Sequence, residues 1–63
     1  MVCISNRRFK IISKETIKNI ITKNLEYEVM YTTIDDYGVI KYEIETDNNN
    51  YTSINAKYFM ELI

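Results

Sequence analysis

A single cysteine and no histidine in a chain of 63 residues remove the two reinforcements on which domains this small usually rely. One thiol cannot close an internal disulfide, and without histidine it cannot assemble a tetrahedral zinc site. A chain of this length buries only about 60% of the surface it exposes when unfolded, so its core is thin. Self-association, or a partner that completes the core, is the reinforcement left open, and a homo-oligomer is expected. The length allows one small domain over residues 1–63. With 46% hydrophobic and 27% charged residues the composition is globular rather than disordered.

No apolar run approaches the ~20 residues of a membrane-spanning helix. The short apolar run over residues 1–4 is followed by Arg7, Arg8 and Lys10, where a signal peptide would need ~7–15 apolar residues. The expected compartment is a reducing cytoplasm, with Cys3 a free thiol that serves as a small buried hydrophobe. Eleven Ile, 7 Asn, 6 Lys and 6 Tyr stand against a total of four Gly, Ala, Arg and Pro residues. That bias towards AT-rich codons points to an AT-rich genome, such as that of a low-GC bacterium or a virus.

Residues 2–4 and 8–12 are β-capable, Phe9 and Ile11 alternating with Arg8 and Lys10. Residues 14–24 are predicted to form a helix. Ser13 is a suitable N-cap, Glu15 falls in the first turn, and Ile12 and Ile17 have the spacing of a hydrophobic staple. Ile17, Ile20, Ile21 and Leu25 make an apolar stripe at i, i+3, i+4 and i+8, and Asn24 suits the end. From Glu26 the period becomes two. Residues 27–34 would place Tyr27, Val29, Tyr31 and Thr33 on one face. Residues 39–46 alternate Ile40, Tyr42, Ile44 and Thr46 with Val39, Lys41, Glu43 and Glu45. The lone glycine, Gly38, sits where a left-handed residue would close a hairpin between them. Asp47 and three asparagines form a second turn into a short strand over 51–54, and Asn55 would cap a short C-terminal helix bearing Phe59, Leu62 and Ile63. The expected fold class is α+β, one main helix packed on a small antiparallel sheet with a short C-terminal helix.

Charge is unevenly spread. Residues 1–24 carry a net +5 and residues 25–63 a net −6, which makes the molecule electrically polar along its sequence. Other chemistry is scarce. Nucleophile–histidine arrangements are excluded, and one glycine cannot supply a phosphate-binding loop. Asp35, Asp36 and Asp47 read as turn residues rather than cation ligands; Asp47 opens a sequence like a calcium loop, but Thr52 and Tyr58 stand where glycine and glutamate are required. No enzymatic activity, metal or cofactor is expected.

Two surfaces are candidates for binding. The acidic hairpin presents Glu26, Glu28, Tyr37, Glu43 and Glu45, with Tyr27, Tyr31 and Tyr42 interleaved; it could dock into a basic groove of a protein, unless these tyrosines are core and the acids only solvate the sheet. Arg7, Arg8, Lys10 and Lys14 could instead hold the phosphates of a nucleotide, or pair with the acidic hairpin.

In size, AT-rich coding, lack of catalytic residues and acidic tyrosine-rich strands, the chain resembles in style the small phage-encoded inhibitors of host defence. These include anti-CRISPR proteins, uracil-DNA glycosylase inhibitors and proteins that sequester cyclic-nucleotide signals. The resemblance carries over no individual residue. It implies a non-enzymatic, stoichiometric viral inhibitor of a bacterial defence protein, acting in the host cytoplasm through the acidic hairpin. The alternative it implies is an oligomeric sponge that sequesters a nucleotide immune signal through Arg7, Arg8 and Lys10. A structural or assembly role is a third possibility.

Overall fold

The computed structural model describes residues 2–62. It is an antiparallel sheet of six strands: β1 (Val2–Ser5), β2 (Phe9–Ser13), β3 (Glu26–Ile34), β4 (Ile40–Glu45), β5 (Tyr51–Asn55) and β6 (Phe59–Glu61). The strand order is β5-β4-β3-β2-β6, with β1 also on β3. β3 is the spine. β4 runs along one of its edges, while β2 covers the first half of the other edge and β1 the second half. β1 and β2 thus behave as one strand broken at residues 6–8.

The sheet is strongly curled. Adjacent strands lie about 4.8 Å apart, so a flat sheet would hold β4 and β6 about 14 Å from each other. Yet the rings of Tyr42 on β4 and Phe59 on β6 are 6.1 Å apart, and Phe9 on β2 meets Tyr42 edge-on at 5.4 Å. Curling folds the inner face onto itself around Ile11, Val29, Ile44, Ile54 and Phe59, with Ile21 from the β2–β3 connection filling the middle. Such a sheet buries one face and leaves the other wet. Burial raises the hydroxyl pKa of Tyr27 and Tyr42, with the nearby carboxylates of Asp47 and Glu61, respectively, adding to the shift.

Both expected helices are corrected, and with them the α+β class: the described residues are nearly all β. Residues 14–25 form a loop. Ile17 and Ile21 exchange backbone hydrogen bonds at 2.9 and 3.0 Å around a tight turn, with Asn19 in the left-handed region at φ 66°. The isoleucine spacing was real, but a turn meets it as well as a helix: Ile21 is fully buried, and Ile17 and Ile20 pack beside it. A helix of about eleven residues rich in β-branched side chains has little stability of its own, and Asn19 and Asn24 accept φ values near 70° that interrupt helical backbone. Ser13 caps no helix; it ends β2, opposite Phe59, and its hydroxyl bonds the backbone of Glu15. At the C-terminal end, Asn55 does cap, accepting the Lys57 N–H at 2.9 Å, but the element is a single 3-10 turn (Ala56–Tyr58) that leads into β6. Phe59 therefore enters the core from a strand, Leu62 is exposed, and Ile63 lies outside the described residues.

The loop is tied down by Asp47, which follows β4. Its carboxylate accepts the Tyr27 and Thr22 hydroxyls, each at 2.7 Å, and its backbone N–H donates to the Ile20 carbonyl at 2.8 Å. Tyr27 Oη in turn accepts the Thr22 N–H at 2.8 Å. The β3–β4 turn has the expected chemistry. Asp35 Oδ1 accepts the N–H groups of Tyr37 and Val39, and Gly38 adopts φ 80°.

Candidate functional site

The register of β3 is shifted by a bulge at Met30. Val29 stands opposite Ile44, but Tyr31, not Met30, stands opposite Glu43. One extra residue reverses the alternation. Tyr27 and Val29 point inward before the bulge, Thr32 is buried after it, and Tyr31 is turned out. Tyr27, Val29, Tyr31 and Thr33 therefore do not share a face. Tyr27 and Tyr42 are core packing, as the alternative reading had it, and Tyr31 is surface.

The outcome is a solvent-open groove of about 560 Å³ on the outer face, lined by Asn6, Arg8, Met30, Tyr31, Glu43 and Tyr51. The break between β1 and β2 supplies Asn6 and Arg8, the bulge supplies Met30 and Tyr31, and β4 and β5 supply Glu43 and Tyr51. Tyr31 is 37% exposed and Tyr51 60%. Glu43 is half-buried and accepts the Ser53 hydroxyl on Oε1 at 2.7 Å. It makes no ion pair among the described residues, where Arg7 pairs with Glu61 at 3.0 Å, Arg8 with Glu28 at 3.9 Å and Lys41 with Asp35 at 3.7 Å.

The two surfaces separated in the sequence meet here. Lys10 lies opposite Glu28 across the β2–β3 ladder, and Arg8 pairs with the same glutamate, so basic and acidic columns run side by side. Of the acidic candidates, Glu43 lies in the groove and Glu28 borders it through Arg8. Glu45 is next along β4, opposite Tyr51. Glu26 lies opposite Ile12, at the far end of β3. Tyr37, 92% exposed, is at the hairpin tip and outside the groove lining. The basic candidates do not converge. Arg7 turns towards β6 and lies over the Phe9 ring at 4.4 Å, Arg8 turns into the groove, and Lys14 is exposed in the β2–β3 loop.

Asn6, Met30 and Tyr51 were absent from the sequence-derived site. Tyr51 was within reach: with Ile54 inward, alternation sends residues 51 and 53 outward. Cys3 is exposed rather than buried. No helix among the described residues is long and apolar enough to cross a membrane, and no three His, Cys, Asp or Glu residues among them are placed to hold a metal ion. No protein-family model, curated protein or solved structure matches the chain, so the resemblance to phage inhibitors of defence stays one of style and identifies no family.

Proposed function

We propose that this chain is a non-enzymatic, stoichiometric binding protein that takes a protein partner on the outer face of β3, β4 and β5 and acts by occupying that partner's surface. The observation that carries this reading is the groove itself: a half-buried carboxylate without a cation of its own, between two exposed tyrosines, on the most extensively paired part of the sheet. Tyrosine supplies large contact area with few rotatable bonds, and for that reason is enriched at interface centres. A site on paired strands also needs little ordering when it binds. The proposed setting is a reducing cytoplasm, in which the exposed thiol of Cys3 would stay reduced. Self-association belongs to the proposal as well, supported by exposed Val2 and Ile4 on β1.

A nucleotide sponge built on Arg7, Arg8 and Lys10 has weaker support, because Arg7 turns towards Glu61 and the Phe9 ring while Arg8 turns into the groove, so the two do not converge on one phosphate. The test is capture of the partner from host cells by the native chain, followed by Tyr31→Ala and Glu43→Lys, with circular dichroism to verify the fold. Loss of the partner by both variants and its retention by Arg7→Glu is the expected outcome. A partner held equally by all of them, or a co-purifying nucleotide lost on Arg7→Glu, would overturn the proposal.

A further inference from the structure

We infer that the groove seats an arginine side chain of the partner, its guanidinium on Glu43 and its flat faces against Tyr31 and Tyr51; this rests on the binding reading above and specifies its chemistry. Charge is the first argument. Arg8, the positive charge lining the groove, stands 3.9 Å from Glu28, whereas Glu43 makes no ion pair among the described residues. The bond from Ser53 occupies Oε1 and orients the carboxylate, which leaves Oε2 without a protein donor among the described residues. A carboxylate held in this way favours a cation that arrives from outside.

Placement is the second argument. Tyr31 lies directly opposite Glu43 on one neighbouring strand, and Tyr51 lies on the other, two residues from Glu43's partner Ser53. With strands about 4.8 Å apart, Tyr31 flanks the carboxylate directly on one side, and Tyr51, opposite Glu45, flanks it diagonally on the other. Aromatic rings beside a carboxylate attract cations through their quadrupole. Neither tyrosine hydroxyl donates or accepts a hydrogen bond to side chains among the described residues, and both remain open to solvent.

The choice between the two basic side chains follows from the shape. The groove is open, so a cation in it stays partly hydrated. A guanidinium is weakly hydrated, lies flat on rings and offers a fork of N–H donors to a carboxylate, while an ammonium is compact and holds its water.

The experiment is a titration of the ¹⁵N-labelled chain, followed by amide chemical shifts, with N-acetyl-arginine methylamide and the matching lysine and citrulline derivatives. Saturable shifts at Tyr31, Glu43, Tyr51 and Ser53 are expected with arginine, and none with citrulline, which has the shape without the charge. Glu43→Gln should weaken the arginine response about tenfold or more. Tyr51→Ala, at an exposed position, should weaken it several-fold, and Lys23→Ala, exposed in the β2–β3 loop and outside the groove lining, should leave it unchanged. Equal shifts with lysine, shifts that map elsewhere, or a response indifferent to Glu43→Gln and Tyr51→Ala would overturn the inference. If the arginine derivative fails while Tyr31→Ala and Glu43→Lys still release the captured partner, the arginine seat is wrong and the binding face stands. If those variants keep the partner, the binding face itself is wrong.

Discussion

The β3–β4 hairpin and the 14–25 loop both feed isoleucines into the same core, yet they are held by different means. The hairpin is a backbone ladder from Val29 opposite Ile44 to Ile34 opposite Ile40, closed by Asp35 and Gly38. The loop has one isolated pair, Ile17 with Ile21, and a few scattered backbone bonds, among them Asn24 N–H to Ser13, Lys14 N–H to Tyr58 and Asp47 N–H to Ile20; side chains supply the other anchors, Ile21 in the core and Asp47 on Thr22 and Tyr27. A ladder spreads its stability over many replaceable contacts, whereas the loop depends on a few anchors. The two regions should therefore answer mutation differently.

The largest effect is expected at Ile21. Although it lies in a loop, Ile21→Ala should cost about 2–5 kcal/mol in urea unfolding, as much as Ile44→Ala in the ladder. Ile20→Ala, at a partly buried position, should cost less than either. An Ile21→Ala value near that of a surface substitution would mean that the loop is not part of the core. Next comes Asp47→Ala, which removes two side-chain hydrogen bonds and leaves Tyr27 Oη without its acceptor. About 1–2 kcal/mol is expected, together with faster amide exchange confined to residues 14–25; exchange that rises equally across β3 and β4 would erase the distinction between the regions.

Smaller still is the contrast between turns. Gly38 at φ 80° has no atom within 4 Å of an added Cβ, so Gly38→Ala should cost about 1 kcal/mol from backbone strain alone. Asn24→Gly, at φ 72°, should be neutral or slightly stabilising by thermal melting. The smallest effect is that of acid on the hairpin tip. The Val39 N–H above all, then the Tyr37 N–H and Lys41, hold the Asp35 carboxyl below its usual pKa. The contribution of Asp35 is therefore fully present above the ordinary carboxylate pKa and is lost as pH falls through the lowered value. Protection of the Val39 and Tyr37 amides should follow that titration, and Asp35→Asn should abolish its pH dependence.

The same contrast explains what could be read from the residues. The hairpin was legible because alternation, the Asp-rich turn and the single glycine agreed with one another. The loop was not, because Ile17, Ile20 and Ile21 at i, i+3 and i+4 suit a helix face and a tight turn equally, and what decides is tertiary: β2 and β3 must pair beneath them. Asn19 and Asn24 were the signals that favoured the turn. Within the groove, Glu43 could be anticipated from its polar alternation. Tyr31 was visible as a tyrosine of the acidic hairpin, but its turn away from the face of Tyr27 and Val29 was not, because the bulge at Met30 leaves no mark in the sequence and reverses the alternation beyond it. The two charge clusters were visible, but their meeting on one face required the β2–β3 pairing, which comes from the fold and not from charge.

The return of β6 to β2 also sets a timetable. Phe59 touches both Tyr27 and Tyr42 and closes the inner face, yet it follows every other strand in order of synthesis. Until it emerges, β2 keeps an open edge and the ring cluster lacks a member, so vectorial synthesis cannot lock the sheet piece by piece. Closing a contact between β2 and β6 across more than forty residues of chain delays the reward of pairing until the loop entropy has been met. The nascent chain should thus pass through synthesis as an unlocked sheet and acquire its fold in one late cooperative step, with the uncovered edge of β2 the first place where a premature pairing would be caught by a neighbour.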